Sequence, residues 1–236
     1  MPTLEICLTP AEPGARACAG AAVVVIDVLR ATTSMCTALM NGARSVIPVG
    51  TVEELKAYAG KGCLLAGERE CEKLAFADFG NSPDEFTAER VAGRDIAFTT
   101  TNCTRVIRLA ASGQVVLLAS FLNLTAVCDR LVRENRRTVL LCAGWHDRFC
   151  LEDTLLAGAM AERLCRAGFD PLYDAVPAAM DLWRLASDDL MAYAGRFSHR
   201  ARLARIGQEQ VIRSCLTSDV AAMVPELRNG VIRAAR

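Results

Sequence analysis

A chain of 236 residues is long enough to bury a sizeable core, in one large domain or two small ones. Its 27 basic and 27 acidic side chains cancel, so no global field recruits nucleic acid or an anionic membrane surface, and any anionic ligand must be held by local charges. The N-terminus lacks a basic segment followed by an apolar one, and no apolar run approaches the roughly 18 residues that cross a bilayer, so the expectation is a soluble, cytoplasmic protein without membrane or nucleic-acid partners.

The 11 cysteines are odd in number and irregularly spaced, with no C-x-x-C pair, so neither a disulfide framework nor a zinc site is expected. Cys36, Cys128, Cys142 and Cys165 fall in helix or strand patterns and read as small core residues.

In chain order, Val23-Val24-Val25-Ile26 is the first predicted strand, an apolar β-branched run typical of a buried central position. Asp27 and Arg30 leave its carboxyl end, where open α/β sheets build their sites, and Thr32 and Thr33 open a helix. A helix N-terminus offers free N–H groups to a phosphate or sulfonate, although Asp27 capping a turn and pairing with Arg30 accounts for the same residues.

The helix runs to Asn41-Gly42; Ser45–Val49 is a strand, Val52–Ala59 a short helix, and Cys63–Gly67 a strand running into Glu68-Arg69-Glu70. Cys71 to Pro83 shows little periodicity and ends in Gly80-Asn81-Ser82-Pro83, a loop of the length that more often carries function. Asp95–Thr99 is a strand followed by Thr100-Thr101-Asn102-Cys103-Thr104-Arg105. Helix Thr104–Ala111, strand Val115–Ser120, helix Asn123–Arg133 and strand Thr138–Cys142 continue the alternation. Repeated βα units predict a layered α/β/α fold with a mainly parallel sheet. Beyond Ala143-Gly144-Trp145-His146-Asp147 the pattern turns helical, first over Leu151–Ala167 and then from Pro177 to the end. The chain is thus expected to form a single domain over 1–236 with a helical C-terminal part, as a lobe from about 177 or an outer layer.

Five polar clusters stand at strand ends or helix starts: Asp27 with Arg30, Glu68 with Arg69, Asn81 with Ser82, Thr101 to Arg105, and Glu152 with Asp153. A parallel sheet is expected to gather them on one edge. Their acids suit a hard divalent cation, their hydroxyls and amides suit anionic oxygens, and their arginines suit bidentate grip. Each cluster has a structural reading too: Glu152 and Asp153 are good first-turn acids, and Glu68 pairs readily with Arg69. His146 and His199 read as ordinary polar residues, since no second ligand stands at metal spacing.

Taken together, D-V-L-R-A-T-T at 27–33, N-G-A at 41–43, G-E-R at 67–69, G-N-S-P at 80–83, T-T-N-x-T-R at 100–105, S-F-L-N at 120–123, C-A-G at 142–144 and E-D at 152–153 with the later Gly158 resemble the 2-phosphosulfolactate phosphatase family, first placed in coenzyme M biosynthesis. The resemblance implies that family's α/β fold, hydrolysis of a phosphate ester on a small sulfonated hydroxy acid, and Mg²⁺ as cofactor. The expected catalytic residues are Asp27, Arg30 and Asn102. Thr32, Thr33, Asn81, Ser82, Thr101, Cys103, Thr104, Arg105 and Asn123 are expected to face the substrate, and Asp27, Glu68, Glu152 and Asp153 the metal.

Arg30 and Arg105 would clamp phosphate or sulfonate; a hydroxide delivered by the metal and an aspartyl-phosphate on Asp27 both remain open as routes. Cys103 stands where the family has glycine, and is expected to line the pocket as a partly ionised, reactive thiol near arginines and a helix start. The partner is expected to be a small anionic phosphoester, with a homodimer left open. A non-catalytic anion-binding homologue and a phosphatase for a different small phosphoester are the alternatives.

Overall fold

In the computed structural model, which describes residues 1–235, eleven strands join one sheet. They are β1 (Thr3–Cys7), β2 (Ala22–Ile26), β3 (Ser45–Pro48), β4 (Leu64–Arg69), β5 (Glu72–Lys73), β6 (Asp95–Thr99), β7 (Val115–Ala119), β8 (Thr138–Cys142), β9 (Asp170–Pro171), β10 (Val224–Arg228) and β11 (Val231–Ala235). The helices are α1 (Ala31–Met40), α2 (Val52–Lys56), α3 (Ala88–Val91), α4 (Cys103–Ala110), α5 (Leu124–Glu134), α6 (Leu151–Arg166), α7 (Ala175–Ala186), α8 (Leu190–Tyr193), α9 (Ser198–Arg205) and α10 (Val211–Leu216). Among the described residues no helix is long and apolar enough to cross a membrane.

Why β2 sits inside follows from its side chains, every one of which is buried. Alternation sends Ala22, Val24 and Ile26 into one core with α5, α6 and α7, and Val23 and Val25 into another with α1 and α4, giving three layers. Gly158 lets α6 and α7 close on each other: a Cβ there would lie 2.1 Å from the Ala179 carbonyl oxygen.

Two expectations about elements are corrected. The N-terminal Thr3–Cys7, not Val23–Ile26, is the first strand; it pairs parallel with β8, burying Leu4 and Ile6 in the α6 core. The helical reading from Pro177 to the end holds only as far as Leu216. The remainder forms the β10–β11 hairpin, whose Ile232 is fully buried opposite Val46 of β3.

This hairpin changes the topology. The strand order is β5-β4-β6-β3-β11-β10-β7-β2-β8-β1-β9. Strands β4, β6 and β3 are mutually parallel, as are β7, β2, β8, β1 and β9, but β11 is antiparallel to β3, β10 to β11, and β10 to β7. Counted along the hydrogen-bonding order, the two parallel blocks therefore run in opposite senses. In a flat sheet the ends of β2 and β4 would lie on opposite edges. With five strands between them, the usual twist of about 20–25° per step turns the blocks through more than a right angle. The sheet curls over α1 and α4, so that Val46, Ala66, Ile96 and Phe98 share one core with Val23 and Val25. Curling, rather than a common edge, brings the strand ends together.

Candidate active site

The turn from β2 into α1 is locked by its threonines. Thr32 Oγ1 donates to the Asp27 carbonyl at 2.8 Å and accepts from the Asp27 N–H at 3.1 Å, and Thr33 Oγ1 donates to the Val28 carbonyl at 2.8 Å. The Asp27 carboxylate accepts from the Ala31 N–H at 3.3 Å and faces a pocket enclosing about 360 Å³ of atom-free space, part of it open solvent.

Asp153, in the first turn of α6, joins two strand ends: it accepts from the Val28 N–H at 2.8 Å and from the Gly144 N–H at 3.1 Å. Gly144 has φ +61°, and a Cβ on it would lie 2.3 Å from the Arg148 carbonyl oxygen, so this turn requires glycine. Beside Asp153, Glu152 has one carboxylate oxygen buried without a hydrogen-bond partner, and the other lies 3.9 Å from His199 Nδ1. At the end of β4, Glu68 accepts from the Thr101 N–H at 2.7 Å, the Thr101 hydroxyl at 3.1 Å and the Cys71 N–H at 2.8 Å, tying β4 to the loop before α4.

Arg30, only 2% exposed, donates to the Cys71 carbonyl at 3.0 Å and to the Gln208 side chain. No carboxylate pairs with it among the described residues. Asn81 also reaches the pocket with its side-chain oxygen buried and unpartnered, and Asn102, at the start of α4, accepts from the His146 N–H at 3.2 Å.

Four carboxyl groups thus face one largely buried space. Burial pushes Asp27 up to about 7; Glu68 and Glu152 add to the rise, while the Ala31 N–H and Arg30 oppose it. Asp153 is held well above the usual carboxylate range by burial and then by Asp27 and Glu152, and burial raises Glu152 as well. Arg30 is the one guanidinium in the pocket lining against these four carboxyl groups.

The family model described as 2-phosphosulpholactate phosphatase matches residues 7–230. The chain belongs to this family. It is 43% identical over 208 residues to a "Probable 2-phosphosulfolactate phosphatase" of Thermotoga petrophila, covering 88% of this chain and 89% of that one. Similar proteins with the same name occur in Caldanaerobacter subterraneus (40% over 215 residues, 89% of each chain) and Symbiobacterium thermophilum (40% over 231 residues, 93% of this chain and 97% of that one).

In this family member seven of the expected site residues line the pocket: Asp27, Arg30, Glu68, Asn81, Asn102, Glu152 and Asp153. The others do not line that pocket. Thr32 and Thr33 spend their hydroxyls on the β2–α1 turn. Thr104 donates to the Thr100 carbonyl at 3.2 Å, and Thr101 stands behind Glu68 as its donor. The Ser82 N–H donates to Glu85 at 3.4 Å at the start of a short 3-10 turn. Asn123 is wholly buried, accepting from the Ser120 N–H at 2.9 Å and donating to the Leu118 carbonyl at 3.2 Å. Arg105 is half exposed and paired with Asp147.

Cys103 differs most from expectation. It is fully buried in the apolar core shared with Val106 and Ile107, and burial, then Asp27, Asp153 and Glu68, push its thiol well above the ordinary range. A neutral core thiol replaces the expected reactive thiolate.

The pocket also holds residues that the sequence reading missed. Trp145, Cys71 and Cys150 stand in its wall, and so does His199, which arrives from α9 and was read as an ordinary polar residue. Burial, with Arg202 and Arg30 nearby, lowers His199 to about 3, so the imidazole is neutral. Its ring meets Trp145 edge to face at 5.3 Å, and Arg202 donates to its Nδ1 at 2.9 Å. A single histidine on a predominantly polar helix leaves no local signature of such a role; only packing brings it here.

Proposed function

We propose that this chain is a Mg²⁺-dependent phosphatase that hydrolyses the phosphate ester of 2-phospho-3-sulfolactate, or a closely related phospho-2-hydroxy acid, to the hydroxy acid and phosphate. The observation that carries this is the convergence of Asp27, Glu68, Glu152 and Asp153 with an unneutralised Arg30 in one pocket. The names of the relatives supply the substrate class.

The donor set fits a hard divalent cation: all four acids offer oxygen, and the raised Asp27, Glu152 and Asp153 with the idle Glu152 oxygen mark a site short of positive charge. Among the described residues no three His, Cys, Asp or Glu side chains already form a ligand set around one point. The assignment of Asp27 with Glu152 and Asp153 as the holding residues therefore rests on their charge and placement, with waters completing the shell, as Mg²⁺ prefers. Glu68, already bonded by three donors, orients the Thr101 loop instead. When bound, the cation supplies Lewis-acid polarisation of the phosphoryl group and neutralises its charge.

The chain's own residues do the remainder. A phosphoester dianion meets carboxylates on most sides, and Arg30, fixed by the Cys71 carbonyl and Gln208, grips its oxygens with the planar fork. Asn102, held by the His146 N–H, turns its amide donors towards the same group. Asp27 borders the reacting group, where it takes a proton from the attacking water and returns one to the leaving alkoxide; its pKa near 7 belongs to the cation-free pocket, and the cation lowers it.

Phosphate release over a panel of phospho-2-hydroxy acids, with Mg²⁺ and with chelator, tests the proposal. Turnover should require the cation, and Asp27→Asn should lower kcat at least about 100-fold, the usual scale for a lost acid–base group. Full turnover after exhaustive chelation would remove the metal from the mechanism. Tight binding of the panel without any release would make the chain a non-catalytic anion binder.

A further inference from the structure

A second cavity adjoins the first across Trp145, which is wall to both. It encloses about 900 Å³, part of it open solvent, and is lined by Trp145, His146, Arg148, Phe149, Ser198 and Arg202. Its charge is opposite to that of the pocket it adjoins. Two guanidinium groups stand in the wall, no carboxylate does, and neither arginine has an acidic partner among the described residues; His146 alone reaches one, Glu70, at 3.2 Å.

Arg202 is the better built of the two. Its guanidinium lies 4.5 Å over the Trp145 ring and donates to His199 Nδ1 at 2.9 Å, so the fork is fixed from two sides. Its Nε is buried and has no hydrogen-bond partner. A guanidinium held rigid in the cavity wall, with N–H donors beyond the one given to His199, suits a multi-oxygen anion.

Resting on the proposed function, we infer that this cavity seats the sulfonate of the substrate, and that Arg202 is the residue that selects for it. The chemistry requires such a partition. 2-Phospho-3-sulfolactate carries a second strong-acid anion on the carbon next to the one bearing the phosphate, and that group gains nothing from a wall of four carboxylates. Trp145 is wall to both cavities, and His199 of the reacting pocket accepts from Arg202 of the other, so the two lie side by side. A sulfonate there would complete the Arg202 fork, with Arg148 adding charge from the cavity rim.

The test compares 2-phospho-3-sulfolactate with 2-phospholactate, which lacks only the sulfonate, in wild type, Arg202→Met and Arg202→Lys. The ratio of kcat/KM between the two substrates should fall about 10- to 100-fold in Arg202→Met, the usual scale for a charge-assisted hydrogen bond, with partial recovery in Arg202→Lys. Because Arg202 also holds His199, disturbance of the catalytic pocket would lower both substrates together; an unchanged ratio overturns the assignment. Calorimetric binding of 3-sulfolactate against lactate needs no turnover and separates this inference from the proposed activity. Wild type should bind sulfolactate at least tenfold tighter and Arg202→Met should lose that preference, whether or not the phosphoester is hydrolysed. Equal wild-type affinity for the two acids overturns the sulfonate site.

Discussion

Cys103 occupies the first position of α4 with its sulfur turned into the apolar core behind the pocket, where Asp27, Asp153 and Glu68 raise its pKa further. Glycine at this position would leave a small void and loosen the helix start. Cys103→Gly should therefore cost on the order of 1–3 kcal/mol, combining lost packing with glycine's greater chain entropy. The melting temperature should drop by several degrees while the substrate ranking stays as in wild type. Iodoacetamide should modify the native thiol far more slowly than the unfolded one. Rapid alkylation with loss of activity, prevented by substrate, would show that the thiol reaches the pocket.

Among the elements, the β10–β11 hairpin is the least conspicuous in sequence and the most consequential in the fold. It fills the gap between β3 and β7, and Glu226, buried there, is compensated by Arg130 at 3.2 Å and Arg228 at 2.6 Å. Ile232 packs into the core shared by both parallel blocks. Ile232→Ala should destabilise by about 2–5 kcal/mol, the range for deleting a large buried aliphatic side chain. In urea the midpoint should fall with an unchanged slope. A change below about 0.5 kcal/mol, the scale of a surface substitution, would place the hairpin outside the core.

For the molecule as a whole, the buried charges set a pH dependence. The folded state holds the Asp27 proton more tightly than the unfolded chain does, so folding is penalised progressively as pH rises from the ordinary 3.8 through about 7, and Asp153 extends this upwards. His199 acts oppositely: its neutral form is favoured, and stability is lost as pH falls from the ordinary 6.5 towards about 3. The two effects oppose each other between pH 3.8 and 6.5, and above 6.5 only the acids remain. In chelator, the melting temperature should therefore fall between about pH 6.5 and 8. Millimolar Mg²⁺ should raise it, and more at pH 8 than at pH 6, because a cation offsets carboxylate repulsion only where the carboxylates are ionised. A melting temperature independent of both pH and Mg²⁺ across that range would mean that the four acids do not share one uncompensated space.

Local chemistry made much of this legible in the sequence. The β-branched run of β2, the acids after β2 and β4, the amide after β6 and the paired acids opening α6 each stand where a strand end or helix start dictates, and seven of the proposed site residues line the pocket. What sequence cannot carry is the long-range pairing. Thr32, Thr33, Thr104 and Asn123 have the same composition whether they bind a ligand or close a turn, and only their hydrogen-bond partners decide. The same holds for Cys103, whose environment is set by the helix it begins, and for His199 and Arg202, which reach the site from a helix far along the chain. Above all, the opposite senses of the two parallel blocks and the hairpin between them come from strand pairing at long separation. The curl that brings the ends of β2 and β4 to one pocket is the summed twist of the strands between them, a property of the whole sheet that no single segment encodes.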